Sequence, residues 1–140
     1  MKDNVMLIIA SLLSILFGTF HLADDIARGM SPGGLPNLLA VVICVVWLYG
    51  TLVLAERRSG YIIIFLLSLF SVFVPYVHMK GKGVGVASRL ARTSGHFFFV
   101  WTLFAIGVIG LSSVILSAHL LWSLKSCLRR ARATGTNSGN

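Results

Sequence analysis

Residues 7–21 read LIIASLLSILFGTFH, and residues 64–78 read IFLLSLFSVFVPYVH. Both are apolar runs broken by one polar skeleton, Ser-x-x-Ser-x6-His. Its members are Ser11, Ser14 and His21 in the first run, and Ser68, Ser71 and His78 in the second, offset throughout by 57 residues (78 − 21). Uncharged runs of this length require a helix if they cross lipid, because lipid offers the backbone no hydrogen-bond partners. At about 100° per residue, Ser11, Ser14, Gly18, His21 and Asp25 fall on one stripe of a helix. Ser68, Ser71, Pro75, His78 and Lys82 occupy the same angles on a second helix. Small and hydroxyl residues on one face allow close helix packing. The skeleton therefore predicts two matched packing faces, with both histidines at similar depth toward a shared interior.

Four apolar runs are present: Val5–Ala23, Leu38–Ala55, Tyr61–Met79 and His96–Leu124. They predict an all-α integral membrane protein, a four-transmembrane-helix bundle with helices at about 5–28, 37–56, 60–79 and 95–126. Its natural arrangement is two repeated helical hairpins. Residues 1–132 form this single domain, and 133–140 (Ala-Thr-Gly-Thr-Asn-Ser-Gly-Asn) form a disordered cytoplasmic tail. The first run, preceded by Lys2, lacks a small-x-small cleavage site and reads as a retained helix. The glycine-rich basic stretch Lys80–Gly95 reads as a surface loop, with a short interfacial helix over Val84–Arg92. Pro75 is expected to kink its helix.

Composition agrees with this class. The chain has 140 residues, 56% of them hydrophobic and 11% charged, with a mean hydropathy of +0.89. That is too apolar for a soluble domain of this size. The net charge of +8 is concentrated at the ends of the apolar runs, where it suits anionic lipid headgroups rather than nucleic acid. Lys2, Arg57, Arg58, Lys125, Arg129, Arg130 and Arg132 fall on one side, against Arg28, Lys80, Lys82, Arg89 and Arg92 on the other. This bias puts both termini in the cytoplasm, in a bacterial inner membrane. The expected partners are the lipid bilayer and either further copies of the chain or a larger membrane complex. Cys44 and Cys127 fall toward opposite faces, which argues against a disulfide between them.

His21, Asp24, Asp25, His78 and His96 all fall at the outer ends of the predicted helices. Neutral imidazole with carboxylate is a ligand set for Zn²⁺, Cu²⁺ or Fe²⁺, so all five are candidate metal ligands. Alternatively, His21 and His78 grip a haem from both sides, or the cluster relays protons near a quinone headgroup. Helix ends are also where such residues ordinarily sit, and Asp24 with Arg28 makes an i, i+4 pair that needs no ligand. His119 reads as an interfacial residue. No nucleophile–base set or nucleotide motif is evident, which weighs against an enzyme. The function expected is binding of a metal ion or small ligand near the outer membrane face. The alternatives are a small oligomeric transporter or channel, or an accessory subunit without its own chemistry.

Overall fold

The computed structural model describes residues 2–29, 31, 34–80 and 95–135. Among these residues it is all-helical, with four helices: α1 (Lys2–Ala27), α2 (Leu35–Leu52), α3 (Arg58–Lys80) and α4 (His96–Gly135). No strand occurs among the described residues. Residues 81–94, where an interfacial helix is expected, lie outside them.

Three helical stretches are long and apolar enough to cross a membrane: α1, α3 and the His96–Cys127 portion of α4. The fourth expected span, α2, has a shorter apolar part, Asn37–Leu52. Its 18 residues rise about 27 Å at 1.5 Å each, just under a hydrocarbon core of about 30 Å. The helix does not run on to residue 56. The chain instead turns over Val53–Arg57, with Glu56 at φ 66° and the Arg57 N–H donating to the Leu54 carbonyl at 3.1 Å. Gly60 permits the tight turn. A Cβ there would collide with the Leu54 carbonyl oxygen and stand 2.9 Å from that of Gly50.

At the other end, α4 continues past the expected limit of 126 to Gly135. The intervening Leu, Arg and Ala are strong helix formers, with no glycine or proline to stop them. The expected disordered tail therefore loses residues 133–135 to the helix, and 136–140 lie outside the described residues.

Helix α4 packs chiefly against α3 and α1, while α2 packs more lightly on α1 and α3. Helices α1 and α3 run in the same direction. At one end the Tyr61 hydroxyl donates to the side-chain amide oxygen Oδ1 of Asn4 at 3.2 Å, and at the other the His21 and His78 rings lie 4.8 Å apart between centroids. Both contacts join residues 57 apart in sequence (61 − 4 and 78 − 21). The two serine skeletons are therefore level with one another, and all four serines are buried.

Among the described residues, buried polar residues outnumber buried apolar ones, whereas Leu16, Phe20, Phe70, Phe73, Leu111 and Trp122 are exposed. This inverts the pattern of a soluble helical fold. The interior hydroxyls have specific work in the packing. Thr51 donates to the Trp47 carbonyl at 2.9 Å, so the 2.6 Å contact with Ser11 is donated by Ser11 and ties α1 to α2. Along the α3–α4 seam, a Cβ on Gly107 would stand 3.1 Å from Pro75 Cγ, and one on Gly110 would collide with the Ser71 hydroxyl. Leu7, Trp47, Tyr61 and Ile64 form an apolar cluster nearer the Asn4 end, and Phe99 with Leu103 forms another at the histidine end.

Candidate metal centre

His21 and Asp25 are separated by one helical turn on the inward stripe of α1, so their side chains share a face. They are 5% and 7% exposed. His78 enters from the corresponding turn of α3. Its Nε2 lies 3.9 Å from Asp25 Oδ2, and His21 Nε2 lies 3.9 Å from the same oxygen. One donor atom from each of the three residues can be chosen so that all lie within 4.8 Å of one another. Phe99, fully buried on α4, underlies both imidazoles, with centroid distances of 4.9 Å to His21 and 6.2 Å to His78.

The hydrogen bonding of His21 bears on what it offers. The Thr102 hydroxyl lies 2.9 Å from the Phe99 carbonyl and 3.3 Å from His21 Nδ1. With its single hydrogen on the carbonyl it accepts from Nδ1–H, and that arrangement leaves the His21 Nε2 lone pair toward the carboxylate. Nε2 of His21 and Oδ1 of Asp25 are buried without a hydrogen-bond partner among the described residues.

A lone pair facing a carboxylate at 3.9 Å is too distant for a hydrogen bond and is repulsive unless a cation lies between. Two donors each about 2.1 Å from one ion stand at most about 4.2 Å apart. The His–Asp spacings of 3.9 Å fall within that limit; the trio's widest donor spacing, 4.8 Å, exceeds it, so holding one ion with all three requires the side chains to draw together by several tenths of an ångström.

The five residues expected from sequence do not all converge. Asp24, the neighbour of Asp25, points off the stripe. Arg28 Nε donates to both of its oxygens at 2.8 Å, and this hydrogen bond raises the guanidinium's already high pKa, keeping it charged. The Arg28 guanidinium lies against Gly95, in the space a Cβ would need, and so joins the end of α1 to the start of α4. His96 is half-buried, with no hydrogen-bond partner for Nδ1 among the described residues, and it is not in the cluster formed by His21, Asp25 and His78. A haem between His21 and His78 finds no room, since the rings lie 4.8 Å apart and tilted by 52° over Phe99. His119 lies at the opposite end, exposed, 3.7 Å from Asp3.

Sequence reasoning missed Phe99 and Thr102. Both fall on the α4 stripe that carries Gly110, Ser113 and Ser117 when projected at about 100° per residue, so helical phase was the signal that could have found them. No protein-family model matches this chain, nor does any curated protein or solved structure; its function is read from the chemistry of the site.

Proposed function

We propose that the chain is an integral membrane protein that binds a divalent transition-metal ion through His21 Nε2, His78 and the Asp25 carboxylate. The observation that carries this reading is the buried His21 Nε2, without a hydrogen-bond partner among the described residues, beside the Asp25 carboxylate, whose Oδ2 lies 3.9 Å from both His21 Nε2 and His78 Nε2. Two imidazoles and one carboxylate leave a coordination position open, a pattern used by Zn²⁺ and Fe²⁺ sites. The Thr102 hydroxyl supports the set by orienting His21. The apolar exterior supports a lipid environment, in which the α1–α2 and α3–α4 pairs form two hairpins with the metal site near the outer face and both termini in the cytoplasm.

Metal analysis of the protein purified in detergent tests the proposal. The expected result is one Zn²⁺ or Fe²⁺ retained per chain, lost in His21→Ala and His78→Ala and weakened in Asp25→Asn. Protein that acquires no metal from micromolar Zn²⁺, Fe²⁺ or Cu²⁺, or whose metal survives both histidine substitutions, would refute it.

A further inference from the structure

The chain has four carboxylates, Asp3, Asp24, Asp25 and Glu56, and each already faces a neighbour. Asp3 lies 3.7 Å from His119, and Asp24 holds Arg28. Asp25 stands between His21 and His78, and Glu56 accepts from Asn4. No acidic residue follows Glu56, through to Asn140. The basic residues therefore exceed what the chain itself can neutralise, and the excess is not evenly spread.

Seven of the 12 basic residues belong to three segments: Lys2, then Arg57 and Arg58, then Lys125, Arg129, Arg130 and Arg132. The fold brings the three segments to one end of the bundle, opposite the metal site. Asn4 binds Glu56 and Tyr61, which sets the start of α1 beside the turn that carries Arg57 and Arg58. Leu124 packs against the cluster of Leu7, Trp47, Tyr61 and Ile64, which brings Lys125 to the same end. Lys2, Arg57, Arg58 and Lys125 are exposed, and none of them makes a salt bridge among the described residues.

Helix α4 carries the charge outward. The Asp3–His119 contact puts His119 level with the start of α1, and from there to Gly135 the helix rises about 24 Å. Its apolar stretch ends at Cys127, and Trp122, 77% exposed, stands where interfacial aromatics sit. Arg129, Arg130 and Arg132 follow within two helical turns. That is inside the roughly 10 Å over which a charged lipid surface is felt at 0.1 M salt. These cations fringe apolar spans rather than forming a separate soluble face, so the nearest counter-charge is lipid phosphate.

We propose that Lys2, Arg57, Arg58, Lys125 and residues 129–132 of α4 form a binding surface for anionic phospholipid headgroups. The proposal rests on the membrane reading above and is independent of the metal.

Native mass spectrometry of the full chain in a non-ionic detergent tests it, with phosphatidylglycerol and phosphatidylcholine of matched acyl chains added in equal amounts. Wild type should retain phosphatidylglycerol over phosphatidylcholine by roughly tenfold or more, and raising the salt tenfold should remove most of that preference. Arg129→Gln, Arg130→Gln and Arg132→Gln together, beyond the span and so without effect on its folding, should lower the preference about threefold or more. Adding Arg57→Gln, Arg58→Gln and Lys125→Gln should bring the two lipids near parity, whereas Lys80→Gln, at the metal-site end, should leave the preference intact. Parity in wild type overturns the surface, as does a preference that survives all six substitutions or falls as far with Lys80→Gln as with the triple variant. Displacement of phosphatidylglycerol by a micromolar single-stranded oligonucleotide would assign these charges to nucleic acid and overturn it too. A chain that stays soluble without detergent refutes the membrane reading; a detergent-dependent chain at lipid parity refutes this surface alone.

Discussion

Replacing Thr102 by valine preserves the side chain's shape and removes a single hydroxyl. That hydroxyl is 2.9 Å from the Phe99 carbonyl and 3.3 Å from His21 Nδ1. The first bond lies within α4 and reinforces a carbonyl that the helix already serves, so its loss should cost at most about 1 kcal/mol of stability. The second holds the His21 tautomer. Without it the hydrogen can move to Nε2, and the lone pair that faces Asp25 is lost. Partners that orient ligating histidines are worth roughly 10- to 100-fold in metal affinity, or about 1.4–2.7 kcal/mol. The assay is competition for Zn²⁺ against a chromophoric chelator in detergent, on wild type, Thr102→Val, Thr102→Ser and His21→Ala. Thr102→Val should weaken binding by that factor, Thr102→Ser should restore it to within about threefold, and His21→Ala should abolish it. Wild-type affinity in Thr102→Val would refute the tautomer reasoning. Equal loss in the valine and serine variants would show that packing around Phe99, not the hydroxyl, sets the affinity.

Two further predictions concern the helix seams. Gly110→Ala should cost about 1–3 kcal/mol by overpacking against the Ser71 hydroxyl, and most of that cost should vanish in a Ser71→Ala background. A denaturation cycle in micelles with a coupling under about 0.5 kcal/mol would contradict the close approach. Tyr61→Phe should lower stability by about 0.5–1.5 kcal/mol through loss of the bond to Asn4. Unchanged unfolding of this variant would mean that the α1–α3 register is held elsewhere.

The inward face of α1 was legible in the sequence because serine and histidine are costly against lipid and had to turn inward. The level pairing of His21 with His78 followed from the same cost applied twice. Other features depended on tertiary competition. Asp24 and Asp25 are adjacent and chemically identical, and their different fates come from about 100° of helical phase and from Arg28 claiming the one off the stripe. Arg28 meets Gly95 across a long sequence separation, which no local pattern encodes. The early end of α2 comes from the close backbone contact at Gly60. Phe99 was passed over because a search for small and polar residues does not select an aromatic ring that supports two imidazoles.

The matched separations of Asn4 from Tyr61 and His21 from His78 bear on which length changes the chain tolerates. The site depends on helical phase within α1 and α3, not on the span between them. Lengthening the segment after Ala27 leaves both faces in phase. A single residue inserted between Ser14 and His21 turns His21 and Asp25 together by about 100° and raises them by about 1.5 Å, away from His78 and toward lipid. Insertions and deletions should therefore be confined to the connections, and the interval from each second serine to its histidine should keep its length even where the apolar residues within it change freely.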